Sequence, residues 1–468
     1  MKRKKVMAVL LTAALVAGSL AACGTKETAG EGSGKTGTEA EGTGGKKDKK
    51  QVINVWAFTD EVPKMLEKYQ KLHPDLNYEI KATIIATTDG AYQPALDQAL
   101  AAGGSEAPDI YCAESAFVLK YTQGDASQYA ATYKSLGIDV ATAVKEADIA
   151  QYTIDVGTNK DGDLVGLGYQ ATGGAFIYRR SIAKAVWGTD DPATVSEKIG
   201  SGTGSWDKFY QAAADLSKKG SAIVSGDGDI WHAVENSSDR GWIVDGKLNL
   251  DPKREEFLEL SKKLKDNGYF NDTRDWQDAW FADMKGEGAK PVLGFFGPAW
   301  LINYTLAPNC GGEKPGEGTY GDWAVCQSPI GFFWGGTWVL ANKDSKVKEA
   351  VKDIIQWITL DSSKDGLQYM WANGTLNGEG GTKDAVASGK VMSMSDGSLD
   401  FLGGQNMFEV FVPANQYANG TNLTQYDENI NSFWRDQVRE YTSGNKTHEE
   451  AVKAFKQQVA DNLALPVE

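Results

Sequence analysis

From Gln51 the chain alternates apolar and polar positions, QVINVWAF, with β-branched side chains at 52, 53 and 55. That pattern predicts a first strand ending near Phe58. Thr59 or Asp60 then caps a helix that carries Pro63 in its first turn and runs through VPKMLEKYQKLHP. Residues 76–83 read as a second strand. Residues 93–102, QPALDQALAA, read as a helix stopped by Gly103 and Gly104, and 109–112 as a third short strand. Strand–helix–strand–helix–strand predicts a parallel sheet covered on both faces. Ligands of such sheets sit beyond the C-terminal strand ends. Those ends carry Trp56, Phe58, Asp60 and Glu61, then Thr88 and Asp89, then Glu114 and Ser115.

Further along, DGDLVGLGYQATGGAFIYRRSIAKAV reads as a hairpin edge, an extended crossing and a helix from about Ser181. Helical text recurs at 206–218, 253–267 and 276–285. LGFFGPAWLINYTL is a buried strand that becomes a helix at Pro298, and GDWAVCQSP is another strand. GFFWGGTWVLA is a second extended crossing, followed by a helix over 347–359. The last long helices fall at 429–442 and 448–462, the second opened by a capping box at Thr447 and Glu450.

The chain before Gln51 has a different character. Lys2, Arg3, Lys4 and Lys5 precede an apolar stretch over 6–20, too short for a membrane span. Leu20-Ala21-Ala22-Cys23 then resembles a bacterial lipobox, in which the cysteine is acylated. The expected leader is 1–22, with lipidation at Cys23. Residues 24–50 hold no aromatic and no large aliphatic side chain, so 23–50 should be a flexible tether. The body beyond it exceeds one ordinary domain and predicts two lobes.

Net charge is −15, and removal of the leader's four positive residues takes it to −19. Such an acidic surface argues against nucleic acid and anionic substrates. Cys310 and Cys326 are spaced to close a small loop as a disulfide, with Cys112 left over in a core strand. Three dispersed histidines argue against a transition-metal site, and no cofactor motif is present. Fourteen tryptophans and eighteen tyrosines point instead to neutral ligands with apolar faces. Sugars fit, because their C–H faces pack on rings and their hydroxyls take carboxylates and amides. Trp56 and Asp60 at the first strand end, Asp89, and Trp276 beside Arg274 are candidates on position alone, with Trp371 and Asn406 behind them.

Taken in order, Cys23, VWAFTDEVPKMLEKYQKLHPDL, APDIY, YQATGGAFIYRRSIAKA, LGFFGPAW, GFFWGGTWVLANKDS, GGQNMFEVF and EEAVKAFKQQV resemble the extracellular solute-binding proteins of bacterial carbohydrate ABC importers, the branch that includes maltodextrin-binding proteins. The resemblance implies an α/β, two-lobed periplasmic-binding-protein fold of type II, hinge-linked by three interlobe crossings. Residues 171–175 match the first crossing and 331–336 the second; the third should lie near 380–400. The implied lobes are 51–172 with 337–385, and 173–336 with 386–468. The resemblance adds Glu114, Trp231, Trp300 and Trp334 as sugar contacts and assigns Trp338 to the core. It implies an oligosaccharide ligand, permease subunits as partners, a monomer, and no enzymatic activity. The location it implies is the outer face of a Gram-positive cell membrane, held by the lipid alone.

Two rivals share some of these features. A secreted glycosidase would use two carboxylates across the sugar bond, with Asp60, Glu61 and Glu114 as candidates. A peptide carrier would hold a ligand carboxylate with arginine, which is sparse here.

Overall fold

The computed structural model describes residues 50–87, 90–378 and 380–467. The leader, Cys23, the tether up to Lys49, and Asp89 lie outside the described residues.

The first sheet is built from β1 (Gln51–Ala57), β2 (Tyr78–Ile84), β3 (Ile110–Glu114), β4 (Gly166–Gly168) and β10 (Thr337–Ala341) in the order β2-β1-β3-β10-β4. β1 runs parallel to both β2 and β3, with Gln51 opposite Tyr78 and Val55 opposite Ile110. β10 lies between β3 and β4 and is antiparallel to both. The alternation in β1 places Ile53, Val55 and Ala57 in one core, while Trp56 packs on the opposite side with Tyr111, Trp338 and Leu340.

The second sheet holds β5 (Ala175–Arg179) between β8 (Gly294–Gly297) and β9 (Trp323–Cys326), both antiparallel to it. Between them in sequence, β6 (Ile243–Val244) and β7 (Lys247–Leu248) form a separate hairpin. The second sheet is covered on both faces. Ile177, Phe295, Trp323 and Val325 enter one core, and Phe176, Tyr178, Phe296, Ala324 and Cys326 enter the other. The same alternation corrects the expected disulfide. Cys310 lies in the core on one face of this sheet and Cys326 in the core on the other, and both are buried free thiols.

The crossings lie side by side. Gly174 N donates to Phe332 O (2.9 Å) and Trp334 N to Thr172 O (3.1 Å), so the first two pair as antiparallel strands. Ala171 N donates to Ala385 O (3.1 Å) and Ala387 N to Tyr169 O (2.9 Å), which brings a third segment alongside. Residues 386–392 fall within the range expected for the third crossing. They bond to first-sheet neighbours: Val386 pairs with Gln170, and Ser388 Oγ donates to Ala147 O (2.6 Å). Gln405 is the first residue past them to bond the second sheet, exchanging two hydrogen bonds with the backbone of Val325.

Candidate functional site

Three predicted tryptophans from three separate segments meet. Trp334 sits on the second crossing, just before Gly335 and Gly336, whose φ values of 76° and 111° turn the chain where a side chain would be strained. Trp300 occupies the first helical turn after β8, started by Pro298. Its Nε1 donates to Trp334 O (3.0 Å), and the two rings meet edge to face with centroids 4.7 Å apart. Trp276 lies nearly parallel to Trp300, 10° between planes and 6.4 Å between centroids, and meets the Trp334 ring edge-on at 6.1 Å. It is 51% exposed, the most exposed large hydrophobic side chain among the described residues, and packs on Trp280 from behind.

Glu114 joins this group from the other sheet. A side-chain carbon added at Gly335 would lie 3.2 Å from Trp300 Nε1 and 3.4 Å from Glu114 Oε1, so the indole and the carboxylate flank the same stretch of bare backbone. Glu114 ends β3, and its Oε2 accepts from Ala116 N (2.8 Å). Burial, with the charges of Glu428 and Glu235 added, pushes its carboxyl up to about 7. Gln93 Nε2 donates to Glu428 Oε2 (3.1 Å), which ties helix Tyr92–Ala102 to helix Asp427–Thr442.

A second acidic group lies at the end of β1. Tyr169 donates its hydroxyl proton to Glu61, whose carboxyl burial lifts to about 8. Asp384, beside the third crossing segment, accepts from Gln170 Nε2 (3.1 Å) and its neighbour's amide, and burial lifts it to about 7. Trp56 is half-buried at the same strand end, with its carbonyl accepting from Tyr92 Oη (3.2 Å). Asp60 is exposed and pairs with Lys64 (2.5 Å).

Other candidates are structural. Trp231 is 1% exposed and packs on Phe257 inside helix Asp227–Glu235. Trp371 is buried in helix Leu367–Ala372. Asn406 Oδ1 accepts from Gly397 N (3.0 Å) and Phe408 N (3.1 Å), which uses the side chain to close a turn. Trp338 is core as expected, its Nε1 donating to Thr153 O.

The reading of the sequence passed over His232, one residue beyond Trp231. The segment is helical, and one residue is a 100° rotation, so packing Trp231 against Phe257 turns His232 toward Trp334. Its ring stacks on Trp334 with centroids 3.5 Å apart and 13° between planes. Asp275 and Arg435 complete the group, and both were also passed over. Among the described residues, no cluster of three or more His, Cys, Asp or Glu is placed to hold a metal, and no helix is long and apolar enough to cross a membrane.

Comparison with solved structures gives the fold. The sugar-binding protein MalE from Xanthomonas citri matches 88% of this chain and 98% of its own, at 17% identity and TM-score 0.64. The galacto-N-biose/lacto-N-biose I-binding protein of the ABC transporter from Bifidobacterium longum matches 90% of this chain and 100% of its own, at 17% identity and TM-score 0.63. An ABC transporter associated binding protein from B. animalis subsp. lactis matches at 20% identity and TM-score 0.61, covering 88% of this chain and 97% of its own. A search of curated proteins returned no match. The model for bacterial extracellular solute-binding proteins matches residues 56–365. With two sheets joined by paired crossings and rings and acids gathered beside them, the chain belongs to the bacterial extracellular solute-binding protein family.

Proposed function

We propose that this protein captures a neutral oligosaccharide in the cleft beside the crossings and delivers it to the permease of an ABC importer. The observation that carries the reading is the meeting of Trp276, Trp300 and Trp334 with Glu114 around Gly335. Indoles cover the C–H faces of a sugar and carboxylates accept from its hydroxyls. Several rings favour more than one sugar unit. Two relatives of the fold were solved with lacto-N-biose and with β-1,6-galactobiose, which supports the same ligand class. Arg254 and Arg435 are committed to carbonyls and to Asp275, which speaks against a carrier that grips a peptide carboxylate.

In this reading the lobes are 51–172 with 337 to about 392, and 173–336 with about 405 onward. Ligand bridges the lobes and shifts the population toward a closed form. Cys23 carries the lipid, the tether spans to the body, and the protein works as a monomer on the outer face of the membrane.

A thermal-shift screen of neutral oligosaccharides against the whole chain tests this. Ligand at about 100 times its Kd stabilises the fold by about 2.7 kcal/mol. A panel in which peptides shift the melting point and no sugar does would overturn the reading. One observation favours a second reading: Glu61 and Glu114 have raised carboxyls, as a glycosidase acid requires. Turnover of labelled oligosaccharides, rather than stoichiometric binding, would support that enzyme.

A further inference from the structure

Behind Trp276 and Trp334 lies a largely buried charged group. The Asp275 side chain is 6% exposed. Its Oδ2 accepts from Arg435 Nη1 (3.3 Å) and lies 3.4 Å from His232 Nε2. On the opposite side the carboxylate is pressed against the start of helix Asp227–Glu235. A side-chain carbon at Gly228 would fall 2.0 Å from Asp275 Oδ1, so only glycine leaves the space. Removing one partner of a buried ion pair leaves the other charge uncompensated, which makes such a group hard to disturb.

Two rings lie beside this carboxylate, one through His232 and one next in the chain. His232 lies flat on Trp334, so fixing the imidazole fixes the back of that indole. Trp276 is the next residue in the chain, with φ at 64°, a left-handed conformation that a tryptophan holds only when its surroundings impose it. Trp276 then stands nearly parallel to Trp300. We propose that Asp275 is the positioning residue of the cleft: through His232 it holds Trp334, through its own backbone it holds Trp276, and the pair of rings is set by one carboxylate. The inference rests on the reading of this cleft as the ligand site.

The electrostatics agree with that arrangement. Burial keeps the His232 imidazole below its ordinary range, partly opposed by Asp275. Burial also raises the Asp275 carboxyl, but Arg435 and His232 together outweigh it and hold the group ionised. The charged groups facing His232 are Asp275, from the loop before helix Asp278–Lys285, and Arg435, from helix Asp427–Thr442. Burial is the larger cause that raises the carboxyls of Asp229 and Glu235, on the same helix as His232, and the Asp275 charge in turn helps raise both. The stacked ring is therefore a neutral imidazole near pH 7, and it becomes a charged partner of Trp334 only in more acidic solution.

Ligand-free fluorescence of the full-length chain tests the arrangement. Protonated imidazole quenches a stacked indole, so emission should fall as pH drops below 6.5, the imidazole's ordinary value. The step should vanish in Trp334→Phe and in His232→Phe, which keeps the stack without a titrating group. Asp275→Asn should move the step to lower pH and raise acrylamide quenching about twofold, as Trp276 and Trp334 loosen. A second measurement uses maltotriose, xylotriose and mannotriose. For whichever of these binds, Asp275→Asn should weaken binding about 10-fold to 100-fold. An Asp275→Asn protein with an unchanged pH step and unchanged quenching would overturn the proposal. Should Asp275→Asn fail to fold, His232→Phe decides: a pH step that persists without the imidazole overturns it. If no trisaccharide binds the unaltered chain, the sugar reading loses support, while the fluorescence result still decides the positioning role.

Discussion

The first sheet and the second bring different chemistry to the same gap, and they do so for a topological reason. β1 and β3 are parallel, so their C-terminal ends open on one edge, where Glu114 closes β3 and Glu61 opens the helix after β1. β5, β8 and β9 are antiparallel, so no edge of the second sheet collects all its strand ends. Its rings arrive from a turn after β8, a loop before a helix, and a crossing strand. One side of the site is thus built by strand direction and the other by separate loops held together by contact. The acids should tolerate change in their surroundings, whereas the rings should depend on a few anchors.

The sharpest way to break this comparison is to exchange a core ring for a cleft ring. Trp231→Ala should cost about 3–5 kcal/mol of stability in denaturant unfolding, because it empties a fully packed site. Trp231→Phe should leave affinity unchanged; a tenfold loss with full stability would place Trp231 at the ligand instead. Trp334→Ala should show the reverse balance, with about 2 kcal/mol lost in calorimetric binding of a sugar that binds the unaltered chain. A loss confined to stability would assign Trp334 to the core.

The acidic side predicts a pH dependence of definite sign. Glu114 and Glu61 are held at about 7 and about 8, above the value of 4.5 they take in the unfolded chain. Between 4.5 and those values the folded chain keeps protons that the unfolded chain releases. Their contribution to stability is therefore intact below 4.5 and declines as pH rises through that window. Melting scans from pH 5 to about 8 should show the decline, and Glu61→Gln and Glu114→Gln should flatten it. His232 acts in the opposite direction, lowering stability as pH falls below 6.5, so His232→Phe should steepen the decline. The smallest effect belongs to Asp60. Its pair with Lys64 is exposed, and Asp60→Ala should shift unfolding by less than about 1 kcal/mol.

The same contrast explains what the sequence reveals. Strand ends in a parallel sheet follow from alternation and order, so pattern and family likeness together point to Trp56, Asp60 and Glu114; the structure brings Glu114 to the rings and leaves Asp60 exposed beside Lys64. Trp300 and Trp334 followed from their motifs, and Trp276 from its place at a helix start. The place of Trp231 did not, because the stretch GDIWHAVE carries two rings side by side, and only the helical rotation says which of them, His232, reaches Trp334. The left-handed turn at Trp276 has no residue signature at all: tryptophan is a poor choice there, and the packing that imposes it comes from residues far away in sequence. Cys310 and Cys326 were close enough in number to suggest a bond, but a strand's two faces separated them.

The place of β10 in the middle of the first sheet sets an order of events. β3 and β4 face an empty slot until the chain has been made through Ala341, and everything between, including the whole second sheet, is synthesised first. Until then two strand edges carry unmatched amides and carbonyls. The sheet that begins first is completed only after the whole second sheet has been made, and its closure waits on a segment that has already passed through the other half.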